Sequence, residues 1–336
     1  MAKQSSDRLF GGIDVGGTKI LAMVVDGFGN VISTAKKKTR GEAGFNTVCE
    51  RAVAALREAV EVENLELDDL EAVGMGVPMP VLPDGTTPGA SNLPGWKNAP
   101  LIKTMEGLTL RPCIGLNDCN AGTYGEYIFG VGKNARTLVG LFVGTGLGGG
   151  IVFHDQLIVG ENRMASELGH IVVQEGGRKC GCGHKGCLEA YASKTGMARR
   201  IAWEIYIEGR TSVLAQSSED ISGYATIKSS VLQDAYRRGD AVAVEALNEL
   251  AHYLGVGVAA YITIFGPDMV VLGGGVFEAL GKELLPKVKE SARNRVFPET
   301  SFKDSRIILS QLGDNAVGLG AAAYAKMAME KRMGGN

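Results

Sequence analysis

Short apolar blocks open the chain, and glycine or polar turns separate them. Leu9–Val15, 18–25 and 31–35 read as three strands, with Gly16-Gly17 and 26–30 as the turns between them. A strand that turns back as a strand makes a meander, not a strand feeding a helix. Between 46 and 62 the period lengthens, so that Val48, Ala52, Ala55, Leu56 and Ala59 share one helical face while charges occupy the other. A strand follows at 71–77. Residues 78–100 hold six of the ten prolines, which predicts an extended surface loop of the kind that often carries binding residues. A short strand at 112–116 leads into Asn117-Asp118, and 121–128 reads as helix.

The opening pattern then returns. Gly140-Leu-Phe-Val-Gly-Thr-Gly146, glycines to Gly150, Ile151-Val-Phe153, a His-Asp-Gln turn and Leu157-Ile-Val159 repeat the order strand, glycine turn, strand, turn, strand. This predicts two similar lobes that each present a glycine turn to a shared cleft; two unrelated hairpins are the alternative. Residues 195–260 are mostly helical with a polar loop near 216–223, 268–272 is a strand ending in Gly273-Gly274-Gly275, and the alanine-rich 315–329 is a closing helix.

Composition narrows the function. The 336 residues are 45% hydrophobic and 21% charged, enough for about two domains with real cores. A formal net charge of −2 leaves no overall basic field for nucleic acid or an anionic membrane, so neither is an expected partner. Residues 1–10 lack a secretory pattern, and the longest weakly charged stretch, 254–277, is split by Gly266, Pro267 and Asp268. Cytoplasmic residence is therefore expected. Six cysteines are too few for a disulfide scaffold, yet three of them crowd into Cys180, Cys182 and Cys187.

Asp14-Val-Gly16-Gly17-Thr18-Lys19 offers open backbone N–H groups, a hydroxyl and an ammonium, the chemistry that holds phosphate. A plain hairpin turn would use the same residues. The spacing is not that of a P-loop, and no helix follows. Gly144-Thr145-Gly146-Leu-Gly148-Gly149 does match Gly-x-Gly-x-x-Gly, but Ile151-Val-Phe153 continues as strand where a dinucleotide site needs a helix. Two glycine–threonine turns between strands fit nucleotide phosphates clamped between lobes. Gly274 and Gly275 follow a buried strand, where backbone can approach an adenine or ribose closely; tight packing is the alternative.

Asp118 is placed to orient a hydroxyl and accept its proton, and the Asn117-Asp118 pair also suits a sugar's adjacent hydroxyls; an ordinary helix cap is the competing reading. Glu167, His170 and Glu189 cluster with the cysteines. Cys180-Gly-Cys182-Gly-His184-Lys-Gly-Cys187 supplies three thiolates, and His170 or His184 a fourth ligand, for a closed tetrahedral zinc site that is structural in kind; free or redox-active thiols are the alternative.

Taken together, Asp14–Lys19, Ser91-Asn92-Leu-Pro-Gly-Trp96, Leu116-Asn-Asp118, Gly144–Gly150, Glu167-Leu-Gly-His170 and Cys180–Glu189 resemble the ROK family of repressors, open reading frames and kinases, most of all its bacterial glucokinase branch. The resemblance implies an α/β, two-lobed, actin-like ATPase (ribonuclease H-like) fold. It implies Asp118 as catalytic base, Asn92, Asn117, Asp118, Glu167, His170 and Glu189 as sugar ligands, and His170 as the fourth zinc ligand. Nucleotide phosphates fall to the turns at Gly16–Thr18 and Gly144–Gly146, with Asp14 near magnesium. The smaller lobe would span 1–120 plus 314–336 and the larger 121–313, the latter carrying the zinc motif and the interface of a homodimer or tetramer. ATP with magnesium is the expected co-substrate, with ADP or polyphosphate as alternative donors. Glucose has rivals in N-acetylglucosamine, N-acetylmannosamine, fructose and mannose. A family repressor is disfavoured because only fifteen residues precede Gly16. A non-catalytic sugar-binding protein is disfavoured by the intact Asp118 and phosphate turns.

Overall fold

The computed structural model describes residues 8–89, 93–217 and 227–334. Its first half runs β1 (Leu9–Val15), β2 (Lys19–Asp26), β3 (Val31–Lys38), α1 (Phe45–Val62), β4 (Leu70–Val77), α2 (Leu101–Thr109), β5 (Cys113–Asn117) and α3 (Asp118–Ile128). The second runs β6 (Thr137–Val143), β7 (Leu147–Phe153), β8 (Gln156–Leu157), α4 (Glu189–Ala192), α5 (Lys194–Tyr206), α6 (Ser229–Arg237), α7 (Ala241–Phe265), β9 (Met269–Gly273), α8 (Gly275–Arg293), α9 (Glu299–Asp304), β10 (Arg306–Leu309) and α10 (Ala316–Gly334).

Two five-stranded mixed sheets result, ordered β3-β2-β1-β4-β5 and β8-β7-β6-β9-β10. In each, an antiparallel meander is extended by two parallel strands, so the repeat read from the glycine turns extends through the whole sheet. No helix starts at either Gly-Thr turn, and the dinucleotide reading of Gly144–Gly149 fails as expected.

Helices α3 and α10 lie between the sheets. Leu319, Ala322 and Ala325 pack on Phe10, Met23 and Ala72 of the first sheet, while Tyr124 and Ala323 join Leu138, Val152 and Val271 of the second. The alanine- and glycine-rich composition of α10 follows from this closeness. A Cβ on Gly74 would strike the Ala321 carbonyl, and one on Gly320 the Ala121 carbonyl. Bulk at either place forces the helix off its neighbours.

Two sequence expectations need correction, and two helices were not expected. The 78–100 segment is extended, but it is not simply a surface loop, because Leu93 and Trp96 are each 1% exposed. The Trp96 ring meets Phe45 edge-on at 5.1 Å, and Thr87 Oγ1 donates to the Trp96 carbonyl at 2.5 Å, which ties the loop down. Helix α3 begins at Asp118, three residues earlier than its apolar pattern suggests, because Asn117 caps it. Helices α2 and α8 carry no clear signal in sequence: α2 is short, and Pro286 lies inside α8, where the proline rule predicts a break. Among the described residues no helix is long and apolar enough to cross a membrane.

Candidate functional site

Asp14 is the penultimate residue of β1, and the turn that follows is held by a hydrogen bond from Gly16 N to Lys19 O at 3.0 Å. Thr39 braces it from outside, its N–H on Thr18 O at 2.9 Å and its Oγ1 on Gly16 O at 2.6 Å. Gly17, Thr18 and Lys19 stay exposed, and Lys19 Nζ reaches Asp314, just before α10, at 2.5 Å. Asp14 opens to solvent only narrowly. Desolvation, then the charge of Asp118, raise its carboxyl to about 7, while Lys19 pulls it the other way.

Asn117 ends β5 and caps α3: its Oδ1 accepts from Cys119 N at 2.9 Å and Asn120 N at 3.1 Å. The cap reading of this pair is therefore right for Asn117, whose Nδ2 has no part in those two bonds. Asp118 accepts from Cys119 N at 2.7 Å. Burial raises the Asp118 carboxyl above its ordinary range, and the Cys119 hydrogen bonds only partly offset this. Glu167 is raised as well, first by burial and then by Asp118 and Glu189, with His170 opposing. Asp14, Asp118, Glu167 and Glu189 thus form one continuous acidic set, each close enough to feel the next.

The second turn is closed by Gly144 N to Gly146 O at 2.9 Å and tied to the start of α5. Lys194 N donates to Gly144 O at 3.0 Å, and Thr195 Oγ1 to Thr145 O at 2.8 Å. Glu189 Oε2 accepts from Leu147 N at 3.0 Å while its Oε1 lies 3.4 Å from Cys180 Sγ. One carboxylate therefore joins this turn to the cysteine cluster. A cavity of about 170 Å³ opens beside Thr145, Gly146, Glu189 and Thr195, and Arg199 of α5 lines it. Sequence reading passed over Arg199, because one arginine among helical charges carries no pattern. Gly274, with φ 84°, packs against the Val143 backbone where β6 ends, and Gly275 starts α8. That position needs glycine for close packing, and it sets the third glycine run beside the second turn.

His170, Cys180, Cys182 and Cys187 bring their donor atoms within 4.8 Å of one another. The Cys182–Cys187 sulfur separation is 3.7 Å and Cys180 Sγ to His170 Nδ1 is also 3.7 Å. A tetrahedral thiolate site with bonds of about 2.3 Å has edges of about 3.8 Å, so this set fits such a cation. His184 is outside the set; its Nδ1 lies 3.5 Å from Cys182 Sγ. Asn92 lies outside the described residues, and the neighbouring Leu93 and Trp96 are buried in the first lobe's core.

The model of the ROK family matches residues 10–328. A glucokinase from Halalkalibacterium halodurans is 33% identical over 97% of this chain and 98% of its own length. An N-acetylgalactosamine kinase from Shewanella sp. strain ANA-3 is 28% identical over 86% of this chain and 88% of its own. Among solved structures, a ROK family glucokinase from Streptomyces griseus in complex with glucose and AMPPNP superposes with a TM-score of 0.80 at 33% identity, over 95% of this chain and 99% of that one.

Proposed function

The chain belongs to the ROK family, and from that premise we propose that it is an ATP-dependent hexose kinase that phosphorylates the 6-hydroxyl of glucose. One observation carries the reading: a desolvated carboxylate, Asp118, stands within electrostatic reach of both Asp14 beside the first glycine turn and Glu167 beside the cysteine cluster. A base in that place can serve a sugar on one side and a phosphate chain on the other.

Asp118 takes the proton of the hydroxyl as its oxygen bonds to the γ-phosphorus, and the bond from that phosphorus to the bridging oxygen breaks to release ADP. Its raised affinity for protons suits it to that task. Asn92, Asn117, Glu167, His170 and Glu189 hold the sugar, supplying donors and acceptors to adjacent hydroxyls. The turns at Gly16–Thr18 and Gly144–Gly146, closed by the N–H groups of Gly16 and Gly144, hold the phosphates through the N–H groups of Gly17, Thr18, Thr145 and Gly146, with Lys19 and Arg199 as cations, and Gly274 and Gly275 lie under the nucleoside. Asp14, a hard oxygen donor in a desolvated acidic setting, fits a magnesium ion, which when bound offsets phosphate charge. The His170–Cys180–Cys182–Cys187 set fits a structural zinc, which when bound fixes the loop that carries His170 and Glu189. The smaller lobe is 1–120 with 314–336, the larger 121–313, and assembly is through the larger lobe as a homodimer or tetramer.

A second sugar class has specific support in the N-acetylgalactosamine kinase relative, since one relocated hydroxyl contact changes specificity. A panel of sugars against ATP, ADP and polyphosphate separates the substrate readings. Asp118→Asn tests the chemistry: kcat falls by about 10²–10⁴ with sugar affinity nearly unchanged. Near-normal turnover in that variant rules the role out.

A further inference from the structure

Helix α8 starts at Gly275 beside the second turn and runs 19 residues, about 28 Å at 1.5 Å per residue, away from it. Its far end faces the outer edge of the second sheet, where a cavity of about 640 Å³ opens between α8, α9 and β10. Four cations line that cavity, Lys289, Arg293, Lys303 and Arg306, against one carboxylate, Glu299. Four less one leaves a local charge of +3 on a chain whose formal net charge is −2.

Among the described residues none of these four heads has a carboxylate within ion-pair distance, whereas Arg178, Arg200 and Arg210 of the same lobe each hold a glutamate. Four like charges against one unpaired carboxylate repel one another, and the cavity walls concentrate their field. The apolar part of the lining is equally specific. Phe302 lies half-buried with the Arg293 guanidinium 5.2 Å from its ring centre, packed on the α7–α8 side of the second sheet. β10 is an edge strand; its Arg306 N–H donates to the Asp268 carbonyl just before β9 at 2.9 Å, and the Ser310 N–H that follows it donates to the Leu272 carbonyl at 2.8 Å. By the alternation of a parallel pair, the N–H of Ile307 faces the open edge, a further donor at the cavity wall.

We propose that this cavity is a second ligand site, remote from the catalytic cleft, for a phosphate-bearing small molecule. Two guanidinium forks and two ammonium groups match phosphate oxygens, and the volume is that of a small-molecule pocket. The Phe302 ring offers contact to an organic part. The phosphate comes either from an inorganic polyanion or from an organic ester, and both share the recognised chemistry.

Hydrogen exchange on the full chain reads the site directly and independently of the kinase reading. Pyrophosphate at about twice its dissociation constant slows exchange in 299–309 about threefold, an effect that weakens with added salt. AMP and glucose 6-phosphate are the ester arms. Protection by pyrophosphate alone assigns an inorganic polyanion, and protection by an ester assigns an organic phosphate; either upholds the site. The exposed double variant Arg293→Ser/Arg306→Ser loses protection at 299–309 while keeping whatever pyrophosphate confers at 14–19 and 144–149. Unchanged exchange at 299–309, or protection there that survives the double variant, overturns the proposal.

Discussion

The two glycine–threonine turns share a strand-turn-strand geometry and differ in everything around it. The β1–β2 turn is exposed and charged, with Asp14 behind it, Lys19 at its end and Asp314 paired to that lysine. The β6–β7 turn carries no charge of its own and is tied by backbone to α5 and by Glu189 to the cysteine cluster. On the proposed function these surroundings separate two tasks: the first turn supplies charge to a phosphate chain, and the second is tied through Glu189 to the cysteine cluster.

Substituting each turn separately sharpens that contrast most. A Cβ on Gly146 would lie 2.5 Å from Glu189 Oε2. Gly146→Ala therefore displaces a sugar-side carboxylate and lowers kcat/KM for the sugar about 10²-fold. Lys19→Ala removes one charge-assisted contact and raises the nucleotide KM about tenfold, leaving the sugar KM in place. Steady-state kinetics with each substrate varied in turn checks both, and variants that shift the same parameter alike break the comparison.

The cysteine cluster belongs to the second turn's side, so on the proposed reading loss of a zinc there has an unequal effect. Metal analysis is predicted to find about one zinc per chain, and Cys182→Ser is predicted to weaken sugar binding about tenfold while nucleotide binding changes less. Calorimetry on both ligands measures this. Unchanged sugar affinity in a zinc-depleted variant contradicts the coupling.

A further effect is on stability, and it belongs to the first turn. Asp14 sits at about 7 in the fold against an ordinary 3.8, so the fold favours its protonated form. That contribution is fully present below the ordinary value and is lost as pH rises through about 7. A gap of about three units bounds the effect at about 4 kcal/mol. Asp14→Asn, neutral throughout, therefore raises the melting temperature of the ligand-free protein at pH 8 by a few degrees, and the gain shrinks toward pH 4. A gain independent of pH shows that burial of this carboxylate is not its source.

Much of this was legible in the sequence because period and glycine placement are local signals. The meander of β1–β3, its repetition at β6–β8, the closing helix and the cysteine cluster each announce themselves within a few residues. What was hidden depends on distant partners. Trp96 reads as part of a loop because its burial comes from Phe45 and α1, and α8 is obscured by Pro286. Nothing in the local pattern of 121–128 singles out Glu126. In the fold it is fully buried, and its Oε1 accepts from Ser310 Oγ, Gln311 N and Leu312 N at 2.6–2.9 Å, fixing the approach to Asp314 and α10. These three partners of its Oε1 are more than 180 residues away, so no window of sequence contains the interaction.

The central claim is that Asp118 meets the sugar hydroxyl at the point where both turns address one nucleotide. A crystal structure of this chain with glucose and AMPPNP bound tests it most directly. The account predicts an Asp118 carboxylate oxygen about 2.6–3.2 Å from the glucose 6-hydroxyl, with that hydroxyl facing the γ-phosphorus. A carboxylate turned away from the sugar, or a nucleotide touching only one of the two glycine turns, contradicts it.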